Sequence, residues 1–228
     1  MCGRFDRHSS LVQFANVIED LRLEGSDDLP PSYNVAPSQR ALVVRDTPEG
    51  RVASAFSWGL APLWVTDPKM KRPINARFES VDKRPMFRSA FRTRRCLVLC
   101  DGYYEWQVRP TGPKQPYYFH RPEGVQFALA GLWERNERLS ETPLETFCVL
   151  TKAASPIVEH IHDRMPLLLP QAVYAAWLNP SACDAETLNR LAGSAKDDWI
   201  VQPVSRFVNS PANNSSRCRE PLDLRKER

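Results

Sequence analysis

The chain has 228 residues, of which 42% are hydrophobic and 25% charged, and its formal net charge is +4. These values match ordered globular proteins and exclude a largely disordered chain, while the lack of a long apolar run excludes a membrane-spanning helix. The N-terminal sequence MCGRFDRHSS has no apolar segment behind its charges and does not resemble a secretory signal, so we expect a cytoplasmic protein, or a nuclear one if the source is eukaryotic.

Residues 9–24 begin at Ser9 with a serine as candidate N-cap and predict an amphipathic helix packed on the core. Its apolar side chains at helical spacing are Leu11, Phe14, Ile18 and Leu21. The segment 27–39 holds three prolines and predicts an irregular connection. Many short β-type runs separated by turns follow, with helical patterns only near residues 156–161, 171–178 and 184–191, the last with Asp184 as N-cap. We therefore predict an α+β fold, antiparallel and β-rich, with a barrel-like core and peripheral helices.

One domain over residues 1–209 is expected, followed by a polar, turn-rich segment 210–228 that predicts a mobile tail. The six cysteines are expected to be free thiols, because a chain of this size in a reducing compartment has little need of disulfides. Cys96 and Cys100 have no second cysteine pair to complete a zinc site, and His160 and His162 form too short a pattern for one. We expect no metal, no other cofactor, no membrane partner and a monomer.

Positive charge is concentrated in residues 69–95, which hold ten Lys or Arg against two acidic residues. The rest of the chain has a net charge of −4, so this basic stretch is typical of a site for a polyanion. Phe78, Met86, Phe87 and Phe91 lie among the charges, and single-strand binders combine basic grooves with aromatic platforms. The alternative is an ordinary solvated surface.

Cys2 becomes the N-terminal residue if Met1 is removed, and the result is a 1,2-aminothiol. Its α-amine has a pKa of roughly 7.7–8.0, so enough free amine exists near neutrality to form a Schiff base with an aldehyde. The adjacent thiol can then close a thiazolidine ring, which no internal cysteine can do. The alternative is an early residue with no role.

Asn75, Arg77 and Glu79 alternate in the segment PINARFES, so in an extended conformation all three face one side. Asn75 is a candidate hydrogen-bond partner for Cys2, and Arg77 a candidate phosphate ligand. A solvent-facing strand edge explains the same spacing equally well.

Glu105 lies among aromatic residues in DGYYEWQ, where burial should raise its pKa and suit it to general acid–base work. Its alternative role is that of a structural partner for an arginine. His162, in the polar turn HIHDRMP, is a candidate proton shuttle, although an isolated loop histidine is often incidental.

Seven motifs together resemble the SOS response-associated peptidase family, whose members are also described as abasic-site processing proteins. They are MCGRF at 1–5, YNVAP at 33–37, WGLAP at 58–62, PINAR at 73–77, DGYYEW at 101–106, IHDRMP at 161–166 and PVSRFVN at 203–209. The resemblance spans almost all of residues 1–209. It implies an α+β fold around a basic groove for single-stranded DNA.

The resemblance implies that Cys2 forms a thiazolidine with the opened sugar of an abasic site, that Asn75 orients Cys2, and that Glu105 and His162 move protons. The DNA contacts that it and the basic stretch imply are Arg4, Asn34, Trp64, Arg77, Arg84, Phe87 and Arg164. Trp64 resembles an aromatic wedge, but Val65 stands where the family often has a second ring. Pro85 likewise stands where an arginine is common, with Arg84 one residue earlier.

The sequence thus predicts an enzyme that bonds to abasic sites in single-stranded DNA and shields them, with associated lyase activity and self-removal of Met1. One alternative is a thiol peptidase or amidohydrolase with an N-terminal nucleophile, in which the same four residues serve acyl transfer. The other is a non-catalytic single-strand binder that uses the basic groove alone.

Overall fold

The structure, a computed structural model, describes residues 2–181, 187, 190 and 198–222. Its strands are β1 Phe5–Arg7, β2 Leu21–Arg22, β3 Ser32–Val35, β4 Arg40–Thr47, β5 Gly50–Trp58, β6 Asn75–Arg77, β7 Arg95–Cys100, β8 Gly102–Gln107, β9 Gln115–His120, β10 Phe127–Asn136, β11 Leu144–Ala153, β12 Arg164–Pro166 and β13 Ile200–Pro203. The α-helices are α1 Leu11–Ala15, α2 Arg88–Thr93 and α3 Tyr174–Leu178. Short 3₁₀ helices cover Phe78–Ser80, Pro122–Gly124, Gln171–Val173, Arg206–Asn209 and Ser216–Arg219. None of the helices in this part of the chain is long and apolar enough to cross a membrane.

Two mainly antiparallel sheets build the molecule. The smaller has the order β13-β9-β8-β1-β3, and the larger has the order β12-β11-β10-β7-β4-β5-β2, with β6 added beside β11. A short parallel pairing of β11 with β5 joins distant members of the larger sheet through Thr146 with Ser57 and Phe147 with Trp58. The predicted α+β, antiparallel, β-rich class is confirmed, whereas the barrel-like core stays a prediction because this ring of pairings is uneven.

The core lies on both sides of the larger sheet, and β7 shows why. Every residue of β7 is buried, with Leu97 and Leu99 in one apolar cluster and Cys96, Val98 and Cys100 in the cluster on the opposite face. A strand covered on both faces reads as a continuous apolar run, which is what CLVLC shows. The second cluster also contains Cys2 and packs against β1 and β8 of the smaller sheet.

The N-terminal helix is shorter than the sequence predicts. It runs only from Leu11 to Ala15, and its cap is a serine as predicted, Ser10, in a capping box with Gln13. Ser9 is buried and donates its hydroxyl to Asp101. The four predicted apolar residues are all buried, because turns after the helix keep Ile18 and Leu21 on the core side. The predicted helix at 184–191 lies outside the described residues.

Residues 210–222 are packed on the domain, in contrast to the mobile tail expected there. Cys218 is fully buried beside Tyr104 and Tyr118, and Leu222 N donates to Pro203 O at 2.8 Å. The segment is polar because its side chains satisfy backbone groups at the surface: the Asn214 side chain accepts from Tyr33 N at 2.7 Å. The cysteines in the described residues are free thiols, as expected.

Candidate functional site

Cys2 lies at the buried end of β1, which is the fourth of five strands in the smaller sheet. Phe5 pairs with Tyr103 of β8, and Tyr104 N donates to Arg4 O at 3.0 Å, so the ladder continues toward the N-terminus. The side chain of Cys2 has no exposed surface. Burial raises the pKa of its thiol well above the ordinary range, and the neighbouring Glu105 carboxylate raises it further. The thiol is therefore protonated near neutral pH unless a base removes its proton.

Asn75 connects Cys2 to the larger sheet. Its Nδ2 donates to Cys2 O at 2.7 Å. The backbone of β6 is fixed by parallel pairing with β11, and Trp58 Nε1 donates to Ile74 O at 2.8 Å. Asn75 Oδ1 is buried and has no hydrogen-bond partner among the described residues. An unpaired buried acceptor is costly, so this oxygen is placed to accept a hydrogen bond from a group that arrives beside Cys2.

Glu105 lies in the middle of β8 with only 3% of its surface exposed. Burial raises the pKa of its carboxyl to about 7. This agrees with the pKa direction expected from its aromatic neighbours. A carboxyl with this pKa is present in both forms near neutrality and can both donate and accept a proton.

His162 ends a turn formed by residues 155–162, and 27% of its side chain is exposed. Burial lowers its pKa, so the neutral ring dominates at pH 7. Its Nδ1 accepts from Arg164 N at 3.0 Å and lies 2.8 Å from Asp163 Oδ1. In the neutral ring, Nε2 carries the proton when Nδ1 accepts from Arg164 N. When Nδ1–H instead donates to Asp163 Oδ1, Nε2 is unprotonated and can take a proton from a substrate.

A groove of about 640 Å³ opens beside Asn75 on the basic stretch. It is lined by Trp64, Lys71, Pro73, Asn75, Ala76, Arg77, Ser80, Arg84, Pro85, Met86 and Phe87. Four of the predicted DNA contacts, Trp64, Arg77, Arg84 and Phe87, are thus brought together on one surface. Met86, noted from the sequence among the charges, also lines it, whereas Lys71 and Ser80 were not singled out although both lie within the basic stretch.

Trp64 stands at the edge of this groove with 55% of its surface exposed. Val65, the residue after it, is buried, whereas Leu63 before it is 42% exposed. The exposed apolar pair is therefore Leu63 and Trp64. The exposed neighbour of the tryptophan is thus an aliphatic side chain that precedes it in the chain, not a second ring that follows it.

The structure places the other predicted DNA contacts differently. Asn34 is buried, and its Nδ2 donates to Val208 O, Ser210 O and Asn213 O, an arrangement that fastens the C-terminal segment. Arg4 is half-buried; it donates to Asn34 Oδ1 at 2.8 Å and stacks on Trp106. Its Nε has no partner among the described residues.

Arg164 forms a bidentate ion pair with Glu79, at 2.7 and 2.8 Å. Only 12% of its side chain is exposed, and it does not line the groove. Glu79 lies in the 3₁₀ helix that follows β6, so the strand alternation expected for Asn75, Arg77 and Glu79 ends at Arg77. Glu79 holds Arg164 rather than joining the wall of the groove.

Among the described residues, one cluster away from this site has the composition of a metal site. Asp6, His8 and Asp101 bring three ligand atoms within 4.8 Å of one another. However, Tyr118 donates to Asp6, and Arg219 lies 3.1 Å from His8 Nε2. Because Nε2 accepts from Arg219, Nδ1 carries the proton and points to Asp6, so this cluster is a hydrogen-bonded network rather than a set of free ligands.

The fold and the site define a class of α+β proteins in which a buried cysteine at the second position lies beside a basic, aromatic-edged groove. The model of the family described as SOS response associated peptidase (SRAP) matches residues 1–211. The chain belongs to this family.

Curated relatives carry the name abasic site processing protein. YoqW of Bacillus subtilis is 36% identical over 220 residues, covering 94% of this chain and 97% of the relative. YedK of Escherichia coli is 29% identical over 228 residues, covering 97% and 100%. HMCES of Xenopus tropicalis is 31% identical over 233 residues, covering 87% and 68%. A solved protein from Bacteroides thetaiotaomicron has the same fold, with a TM-score of 0.80 at 24% identity, over 97% of this chain and 100% of that one.

Proposed function

We propose that this protein recognises abasic sites in single-stranded DNA and, after Met1 is removed, bonds covalently to them through Cys2. The observation that carries the proposal is the position of Asn75, which binds Cys2 O at 2.7 Å and also lines the basic groove. A strand lying in the groove therefore passes beside the reactive residue. The names of the relatives support an abasic site as the target.

Opening the sugar comes first, because an abasic site is mostly a closed hemiacetal. A base must take the proton of the anomeric hydroxyl while an acid protonates the ring oxygen. The neutral imidazole of His162 suits the first role in the tautomer whose Nδ1–H donates to Asp163, because Nε2 is then unprotonated. The protonated fraction of Glu105 suits the second role, since its pKa is about 7. The product of this step is a free aldehyde and a sugar hydroxyl.

Covalent capture follows in two steps. The Cys2 amine adds to the aldehyde carbon, and Glu105 protonates the departing hydroxyl, so that one water leaves and an iminium forms. The Cys2 sulfur then attacks the iminium carbon as its proton passes to Glu105, and the thiazolidine closes. Burial keeps the pKa of this thiol high, so the thiol needs a base close by, and the Glu105 carboxylate is close enough to act on it electrostatically.

Closure of the thiazolidine ring decides whether the DNA strand is shielded or cleaved. The iminium acidifies the neighbouring sugar carbon and favours β-elimination of the strand, and attack by the thiol removes the iminium first. The proposal therefore includes a lyase side reaction that grows when the thiol is absent. Removal of Met1 by the protein itself is a further part of the proposal.

Intact mass spectrometry after mixing with a single-stranded abasic oligonucleotide tests the proposal directly. The expected result is loss of Met1 and an adduct equal to protein plus oligonucleotide minus one water. Cys2→Ser should lose the stable adduct and retain some strand cleavage. The matched control is Cys218→Ser, which changes another buried thiol far along the chain. A stable adduct in Cys2→Ser, or turnover of a peptide substrate in place of DNA capture, would overturn the proposal.

A further inference from the structure

The strand that carries Glu105 also holds the loop that carries His162, and the contact is made by Gln107. Gln107 follows Glu105 by two residues in β8, so the two side chains lie on the same face of the sheet. Its Nε2 donates to His160 O at 3.0 Å. Tyr117, directly opposite Glu105 in β9, donates its hydroxyl to Gln107 Oε1 at 3.3 Å.

We propose that Gln107 is a positioning residue, which fixes the His162 imidazole relative to the Glu105 carboxyl and is itself oriented by Tyr117. The inference rests on the proposed function, because it concerns the two groups that move protons there.

The main-chain hydrogen bonds of the loop, such as Ala154 N to Asp163 O at 3.0 Å, fix its backbone but do not orient the His162 side chain. Val158 and Ile161 insert into the apolar cluster around Cys2. Hydrophobic burial holds a segment in place without setting the orientation of its polar groups. Gln107 supplies a directional hydrogen bond two residues before His162, and Asp163 Oδ1, 2.8 Å from His162 Nδ1, supplies a second one on the other side. His162 is thus fixed from both sides.

The same charged groups act on both of the proposed proton-moving residues, which supports placing them in one site. Asp163 of the loop and Lys114 of the β8–β9 hairpin act on both Glu105 and His162. Two residues after His162, Arg164 is paired with Glu79 at 2.7 Å. Movement of the loop would change the hydration of His162 and its distance from Glu105 together.

Gln107→Met keeps the length of the side chain and removes both hydrogen bonds. With the loop released, the imidazole becomes hydrated and its pKa rises toward the ordinary 6.5, because burial is the main cause of its present depression. The capture reaction should then slow, and its acid limb should move to higher pH. Binding of DNA should be little affected, because Gln107 does not line the groove.

The experiment measures single-turnover capture of an abasic oligonucleotide with protein in excess, from about pH 5.5 to about pH 8.5, across the range in which histidine titrates. For Gln107→Met we expect the maximal rate constant to fall about tenfold to hundredfold, as for a misplaced reacting group. The half-saturating concentration should stay within about twofold, since groove contacts are intact. Tyr117→Phe, which removes one hydroxyl, should give a smaller change in the same direction.

Tyr104→Phe is the matched control, since it removes one hydrogen bond, to Tyr33 O, from the opposite face of the same strand. Its rate and pH profile should equal those of the wild type. The pKa of His162, followed by NMR in each variant, reports on the loop independently of DNA. If the wild type forms no adduct, the proposed function fails. If the wild type forms one and Gln107→Met matches Tyr104→Phe in rate and in the His162 pKa, this inference is overturned.

Discussion

Glu105→Gln is expected to slow covalent capture and, at alkaline pH, to stabilise the fold. Glu105 is 3% exposed, and burial raises its pKa from 4.5 to about 7. One pKa unit corresponds to about 1.36 kcal/mol, so ionising this carboxyl costs about 3 kcal/mol more in the folded chain than in the unfolded chain.

The sign of the effect follows from proton binding. Between pH 4.5 and about 7 the folded chain keeps a proton that the unfolded chain has released. The free energy of unfolding therefore falls as the pH rises through this window and levels off above it. Glutamine does not titrate, so the advantage of Glu105→Gln over the wild type should be about 3 kcal/mol larger near pH 8 than near pH 4.5.

Urea unfolding followed by circular dichroism gives the free energy of unfolding of the variant and of the wild type at both pH values. Comparing the variant-minus-wild-type difference between the two pH values cancels any effect of the substitution that does not depend on pH. Glu79→Gln is a control of opposite sign, because the hydrogen bond from Arg164 lowers the pKa of Glu79 and its contribution is lost in acid. An equal stability difference at both pH values would refute the burial argument. Capture should slow by about 10²–10⁴, the range for a lost general acid–base group, and a wild-type rate would refute that role.

Two further predictions concern the groove. Trp64→Ala should weaken binding of single-stranded DNA by about 1–3 kcal/mol, as for loss of a stacking platform, and leave the unfolding free energy unchanged because the ring is exposed. Fluorescence anisotropy checks this, and an equal loss in the neighbouring Leu63→Ala would argue against stacking. Arg77→Gln should reduce the slope of log affinity against log salt by about 0.7, whereas Arg164→Gln should leave it unchanged, because Arg164 is held by Glu79. A lower slope of log affinity against log salt in Arg164→Gln would show that Arg164 does contact a phosphate.

Features determined by local sequence were predictable here. The apolar run of β7 and the concentration of charge in residues 69–95 each indicated what the structure shows. The pKa direction of Glu105 followed from its aromatic neighbours along the chain. Each of these depends on residue types within a few positions of one another.

Features determined by distant partners were not predictable. The sequence predicts Arg164 as a phosphate ligand, but its guanidinium is paired with the carboxylate of Glu79, 85 positions earlier. Asn34 fastens backbone carbonyls more than 170 positions later, and no local pattern signals such a partner. Gln107 was missed for the same reason, since its contact with His160 O depends on how a loop returns to the sheet.

The location of β1 has a consequence for the order of events during synthesis. The first strand made lies between β3 and β8, and its partner Tyr103 is translated roughly a hundred residues later. At about 5–20 residues per second, the N-terminus waits about 5–20 s for that partner. During this interval the Met1–Cys2 bond is accessible to other enzymes, and after it the thiol is enclosed. Removal of Met1 by the protein itself belongs to the later stage, because it needs the folded site, so the delayed pairing of β1 divides the two routes of processing in time.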